Sequence, residues 1–84
     1  IVSQRAFLCG GTHDYSLARH PLVTRPIEIG PQAWICAEAF VGPGAVVAEG
    51  CVIGARAVLN GKTEPWSVYA GNPARRVKAR TLRA

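Results

Sequence analysis

The sequence predicts an all-β chain, a parallel β-helix wound as a triangular prism, on three observations. Every sixth residue from Ile29 onward is aliphatic: Ile29, Ile35, Val41, Val47, Ile53 and Leu59. The fifth place of each full hexad is small, at Ala33, Ala39, Ala45, Cys51 and Ala57. The sixth is apolar, at Trp34, Phe40, Val46, Val52 and Val58. A helix period of about 3.6 or a strand period of about 2 does not produce this recurrence, whereas stacked six-residue sides do.

In such a prism each hexad forms one short side and one corner. The first residue points inward, and a small fifth residue fits inside near the corner. The second place is small or turn-forming (Gly30, Cys36, Gly42, Ala48, Gly54, Asn60) and is expected to ease the tight corner backbone. Three hexads close a coil, so Ile29 should stack on Val47, Ile35 on Ile53, and Val41 on Leu59, at an inter-strand spacing of about 4.8 Å. Each such side chain contributes roughly 1.5–3 kcal/mol on burial. Residues 1–12 keep the phase as a partial coil, with Val2 and Leu8 inward and Ala6 and Thr12 at the small place; Val2 should meet Ile35, and Leu8 should meet Val41. From 13 to 28 the period fails. This stretch is polar and holds His13, His20, Pro21 and Pro26, so it reads as an excursion loop thrown from one corner, a usual location for function. The repeats occupy 29–64. Residues 65–84 read as a loop (WSVYAGN) followed by a short basic helix, with Pro73 suited to its first turn.

Composition sets further bounds. A single domain of 84 residues makes under three coils, a marginal stack by itself. It begins in phase and contains no methionine, and the expectation is a piece that lacks upstream coils. Three cysteines, two of them at small repeat places, read as buried free thiols of a reducing compartment, hence cytoplasmic. The net charge of +5 is local, because Arg75, Arg76, Lys78, Arg80 and Arg83 all fall in the last ten residues. Such a tail suits a polyanion such as nucleotide phosphates. Nucleic acid is disfavoured, since no aromatic interleaving accompanies the charge. No stretch is long enough to span a membrane. No metal is expected: a prism-type zinc site needs three histidines, and only His13 and His20 exist.

The run TEPWSVYAGNPARRVKAR after the hexads, together with CGGTHDYS and PIEIGPQAWICAEAFVGPGAVV, resembles the hexapeptide-repeat acyltransferases. It is most similar to acetyltransferases assigned to colanic acid biosynthesis and to the galactoside type. The resemblance, not the period, implies left-handed winding, a homotrimer, and acetyl-coenzyme A as co-substrate lying between two prisms. It implies an O-acetyltransferase acting on a sugar or polysaccharide-precursor hydroxyl. His13 matches the catalytic histidine, a base that takes the hydroxyl proton as oxygen attacks the thioester. The resemblance sets Trp34 near the pantetheine arm, Ala37 and Ala55 where backbone groups meet the pantetheine amides, and Arg75 and Lys78 at the phosphates. Asn60 and Lys62 fall at a turn where the family often carries a Thr-Lys pair; here Gly61 takes the lysine place and Lys62 follows one position later. On the residues alone, other readings stand. His13 suits a loop-anchoring hydrogen bond, Trp34 suits packing against the loop or a neighbouring subunit, and Ala37 and Ala55 suit plain repeat positions. A solvated basic tail and a non-catalytic trimeric binding or scaffold module remain open. His20, Arg76, Arg80 and Arg83 read as solvent-facing, and Asp14, adjacent to His13, should point away from it. The acceptor is not identified.

Overall fold

The inward aliphatics are stacked as their spacing requires in the computed structural model, which describes residues 1–83. Among the described residues eleven short strands carry the fold. On the first face of the prism, β5 (Trp34–Ile35), β8 (Val52–Ile53) and β10 (Ser67–Ala70) run parallel, with Ile35 opposite Ile53 and Ile53 opposite Tyr69. Val2 extends this face by a bridge to Ile35. The second face stacks β1 (Phe7–Leu8), β6 (Phe40–Val41) and β9 (Val58–Leu59), with Leu8 opposite Val41 and Val41 opposite Leu59. The third joins β4 (Glu28–Ile29) to β7 (Val46–Val47), with Ile29 opposite Val47. Ile35, Val41 and Ile53 are fully buried, with Ala39, Ala45, Cys51 and Ala57 filling the corners beside them. Ile29 is the exception among the six: it caps the stack on its face and stays 37% exposed.

The corners differ from expectation in one respect. The left-handed residue is the fourth of each hexad, not the second: Arg5, Gln32, Glu38, Gly44, Gly50, Arg56 and Trp66 all have φ between 52° and 75°. Only two of the seven are glycine, so stacking energy offsets a strain of roughly 1–2 kcal/mol at each of the others. Arg5 belongs to this series, at the fourth place counted from Val2. The second place is small for a different reason. A Cβ on Gly30 would lie 2.8 Å from the Glu49 backbone nitrogen of the next coil, closer than real Cβ atoms come, so close approach and not φ selects the glycine.

The last coil is shortened. Lys62 bridges Val46, which places Thr63 beside Val47, four residues after Leu59 instead of six. Thr63 takes the inward place; its Oγ1 accepts from Ala48 N–H at 2.9 Å and is buried. The hexad period then resumes from Thr63 to Tyr69. The segment read as a loop, WSVYAGN, therefore contains β10, a further prism side.

Among the described residues the predicted C-terminal helix is absent. Arg75–Ala79 is a strand, β11, antiparallel to β10, with Ser67 opposite Ala79 and Ala70 opposite Arg75. The turn between them includes a cis Asn72–Pro73 bond. The open edge of β10 offers backbone partners that a lone short helix lacks, and tertiary pairing overrides the helix-forming composition. Arg80 holds the strand end down. Its Nη1 donates to the carbonyls of Gln32 at 2.7 Å and Gly50 at 2.9 Å, and its guanidinium lies over the Trp66 ring at 5.7 Å. Arg76 bonds Ser67 Oγ at 3.0 Å and pairs with Glu64. Arg80 is therefore a structural fastening and not the solvated charge expected, whereas Arg76 stays exposed, as expected, while making these surface contacts. Ala84, the last residue of the expected helix, lies outside the described residues. Among the described residues no helix is long and apolar enough to cross a membrane, and no group of three or more His, Cys, Asp or Glu is placed to hold a metal ion.

Candidate functional site

The excursion leaves the prism after β1 and returns at β4, at the corner between the second and third faces. Part of it is ordered as a hairpin, which the loop reading of 13–28 did not foresee. β2 (Gly11–His13) pairs antiparallel with β3 (Leu22–Thr24), setting His13 opposite Leu22. Between the strands the chain makes tight turns, with Asp14 N–H to the Pro21 carbonyl at 3.0 Å and His20 N–H to the Leu17 carbonyl at 2.9 Å. His20 takes a left-handed φ of 50°, and this turns its carbonyl toward His13.

His13 Nδ1 lies 2.8 Å from that carbonyl oxygen. A carbonyl only accepts, so Nδ1 carries the proton and Nε2 of the neutral ring keeps its lone pair. The bond fixes both tautomer and ring orientation. Asp14 does not contribute: its carboxylate accepts from Ser16 N–H at 3.0 Å and from the Ser16 hydroxyl. Those two bonds hold the Asp14 carboxyl below the ordinary carboxylate value. The His20 side chain is exposed, as expected, but its main-chain carbonyl is part of the site; no side-chain pattern in the sequence marks a backbone acceptor.

An open cleft of about 440 Å³ runs alongside. Thr12, His13 and Asp14 line it from the outgoing strand, and Val23 and Arg25 from the returning one. Pro43 and Asn60 close it from the prism corner. Asn60 packs so closely against Gly42 that a Cβ there would collide with its side-chain oxygen. The structure thus brings Asn60 to His13 and separates it from the other residues expected to bind coenzyme. Arg25, which no sequence motif marked, joins the same cleft.

The remaining candidates lie elsewhere on the prism. Ala37 and Ala55 stack one coil apart at the corner between the first and second faces, where Arg56 N–H donates to the Ala37 carbonyl at 3.0 Å. Ala55 is exposed, and Ala37 is half-buried. An ion-pair ladder, Arg5–Glu38 at 3.6 Å and Arg56–Glu38 at 3.3 Å, runs down this corner. Arg75 starts β11 beyond the same corner, opposite Ala70, and Lys78 lies further along the strand opposite Val68; both are exposed. Trp34 stands on the first face, 43% exposed, and its Nε1–H donates to Ser3 Oγ at 2.9 Å. Lys62 is exposed on the third face. Two groups therefore emerge on different edges: His13 with Asn60, and Ala37 and Ala55 with Arg75. The second face lies between them and carries an outward apolar stripe of Phe7, Phe40 and Val58 in register. The rings of Phe7 and Phe40 meet edge-on at 5.6 Å.

Known proteins share this architecture. Residues 26–61 match the bacterial transferase hexapeptide family, described by six repeats. Over 74 residues the chain is 35% identical to WcaF of Escherichia coli, assigned as a colanic acid biosynthesis acetyltransferase; the match covers 88% of this chain and 41% of that protein. A maltose O-acetyltransferase of Clostridium difficile superposes with a TM-score of 0.86 at 26% identity, over 96% of this chain and 45% of its own. A mutant of AntD, an N-acyltransferase from Bacillus cereus in complex with dTDP and coenzyme A, superposes with a TM-score of 0.87 at 23% identity, over 95% of this chain and 49% of its own. At 23% that likeness shows the fold alone. The chain spans less than half the length of each of these proteins.

Proposed function

We propose that the chain, which matches the bacterial transferase hexapeptide family over residues 26–61 and is 35% identical to WcaF over 74 residues, is an acetyl-coenzyme A-dependent O-acetyltransferase acting on a sugar hydroxyl. One observation carries the reading: the hydrogen bond from His13 Nδ1 to the His20 carbonyl leaves Nε2 as a free base at a cleft wall. A scaffold has no need of a histidine held in one tautomer. Acetyl-coenzyme A supplies an activated acetyl thioester. His13 Nε2 takes the hydroxyl proton as the sugar oxygen bonds to the acetyl carbon, and returns it to the sulfur when the C–S bond breaks. A base placed this way contributes roughly 10²–10⁴ in rate.

The edge bearing Ala37 and Ala55 fits the coenzyme. Its small side chains leave room for a pantetheine arm running along the prism, and the Arg75 cation at its far end suits the phosphates. Lys78 and Trp34 are assigned auxiliary contacts on the adjoining face. Asn60 is assigned to the acceptor side, with His13; Lys62, out of line with Arg75, receives no coenzyme contact in this reading.

Because the two groups occupy different edges, a complete site needs two copies. A head-to-tail arrangement sets the His13 edge of one copy against the Ala55 edge of the next and closes as a ring. Three copies of a left-handed triangular prism close in this way, and the apolar stripe of Phe7, Phe40 and Val58 on the intervening face supports the association. The reaction belongs to the cytoplasm, where free thiols such as Cys9 persist.

The test is thiol release from acetyl-coenzyme A in the presence of a panel of sugars. His13→Ala should lower kcat by about 10²–10⁴ while the affinity for acetyl-coenzyme A is kept. Turnover undiminished in His13→Ala overturns the assignment. A protein that sediments as a trimer yet releases no thiol with any sugar transfers the reading to a non-catalytic scaffold.

A further inference from the structure

Arg25 stands where the hairpin hands the chain back to the prism. Its backbone is fixed there, since its N–H donates to the Gly10 carbonyl at 2.9 Å. Its stem crosses Gly44, where an added Cβ would sit 3.4 Å from Arg25 Cδ. Gly44 has a φ of +75°, so the corner beneath the stem is bare as well as fixed. The side chain forms part of the cleft wall that holds His13 and Asn60. Among the described residues the ion pairs join Arg5 and Arg56 to Glu38, and Arg76 to Glu64; Arg25 takes part in none of them. The one carboxylate in the cleft wall, that of Asp14, is engaged by Ser16.

A neutral hydroxyl needs no cation for its recognition. A guanidinium is suited to a carboxylate or a phosphate, which it bonds in fixed geometry and with roughly twice the strength of a neutral contact. The coenzyme phosphates are the other anions of the reaction, and Arg75, opposite Ala70 beyond the Ile53 layer, lies at the other end of the stack from Arg25, which packs over Gly44; in the proposed assembly the phosphates fall to Arg75 and the end that holds Arg25 is left to the acceptor.

We propose that Arg25 recognises an anionic group, carboxylate or phosphate, on the acceptor, so that the favoured substrates are acidic sugars. The proposal rests on the acetyl-transfer reading and adds the class of sugar it selects. Arg25 fixes the acidic group, Asn60 is free to bond a neutral hydroxyl, and the hydroxyl to be acetylated is left to His13.

The experiment compares glucuronate, glucose 1-phosphate and glucose as acceptors for the wild type, Arg25→Gln and Arg25→Lys. Thiol release is read as kcat/KM, and ligand-observed NMR reports binding of each sugar without acetyl-coenzyme A. One or both acidic sugars should exceed glucose by about tenfold or more. Arg25→Gln should erase that preference while glucose turnover and the KM for acetyl-coenzyme A stay level, and Arg25→Lys should keep part of it. Which acidic sugar leads distinguishes carboxylate from phosphate. Glucose equalling both acidic sugars in the wild type overturns the proposal, as does an equal loss for all three in Arg25→Gln or a rise in the KM for acetyl-coenzyme A. If no sugar supports thiol release, NMR decides. Acidic-sugar binding that Arg25→Gln abolishes keeps the assignment of Arg25 while the acetyl-transfer reading falls. Binding without discrimination, or none, ends the proposal as well.

Discussion

Replacing Ile53 and Ile29 by alanine in parallel tests whether depth in the stack, and not identity in the repeat, sets the energy of a hexad. Both isoleucines hold the first place of a hexad and point the same way. Ile53 is sandwiched between Ile35 and Tyr69 and is fully buried, whereas Ile29 has Val47 on one side only and is 37% exposed. Truncating Ile53 removes transfer energy and leaves a cavity that coils above and below cannot close, a cost of roughly 3–4 kcal/mol. At Ile29 water fills the vacated space and part of the side chain was already solvated, so the cost is about 1 kcal/mol. A chain of this size has a total stability of about 4–13 kcal/mol, so the first variant should lose a large share of it. The assay is urea unfolding followed by circular dichroism, at one fixed protein concentration because self-association adds to apparent stability. With a slope of about 1 kcal/mol per molar urea for a small domain, the midpoints should fall by roughly 3 M and 1 M. Equal shifts for the two variants would refute the stacked-coil account of the core.

Two further outcomes follow from contacts at the far end of the molecule and from the thiols. Arg80→Ala removes both bonds to the Gln32 and Gly50 carbonyls and the contact with Trp66; amide hydrogen exchange over β11 should accelerate by about tenfold or more while β5 and β8 stay protected, and uniform acceleration would show that the strand is not fastened there. With a thiol-specific reagent, half-buried Cys9 should react first and Cys36, whose thiol burial pushes above its ordinary value, more slowly; the reverse order would contradict the placement of Cys36.

The repeat was legible because its information lies in side chains. Ile35, Val41 and Ala39 announce inward positions by size and polarity alone, and the pairing of Val2 with Ile35 and of Leu8 with Val41 followed from counting. Three things were not legible, each for its own reason. The left-handed corners fall on Gln32, Glu38 and Arg56, residue types with no preference for that conformation, because the stack imposes it. The shortened side between Leu59 and Thr63 shifts the phase by two, and its inward residue is a threonine, so no aliphatic marks the change. The strand β11 is spelled in helix-compatible residues, and only the open edge of β10 decides its form. At the site, His13 stood out through its motif, whereas the His20 carbonyl and Arg25 could be found only once the hairpin brought the two ends of the excursion together.

The hairpin is anchored at both ends in the outermost coil, through Leu8 on one face and Ile29 on another. In a molecule whose layers touch only their immediate neighbours, melting can start at a terminus and proceed layer by layer, as a zip opens. The layer at the Ile1 end has large apolar groups in contact with solvent and is the natural one to open first. Heating should therefore release the hairpin that holds His13 some degrees before the bulk β signal is lost. A segment or partner that covers that end would steady the His13 cleft more than the rest of the fold.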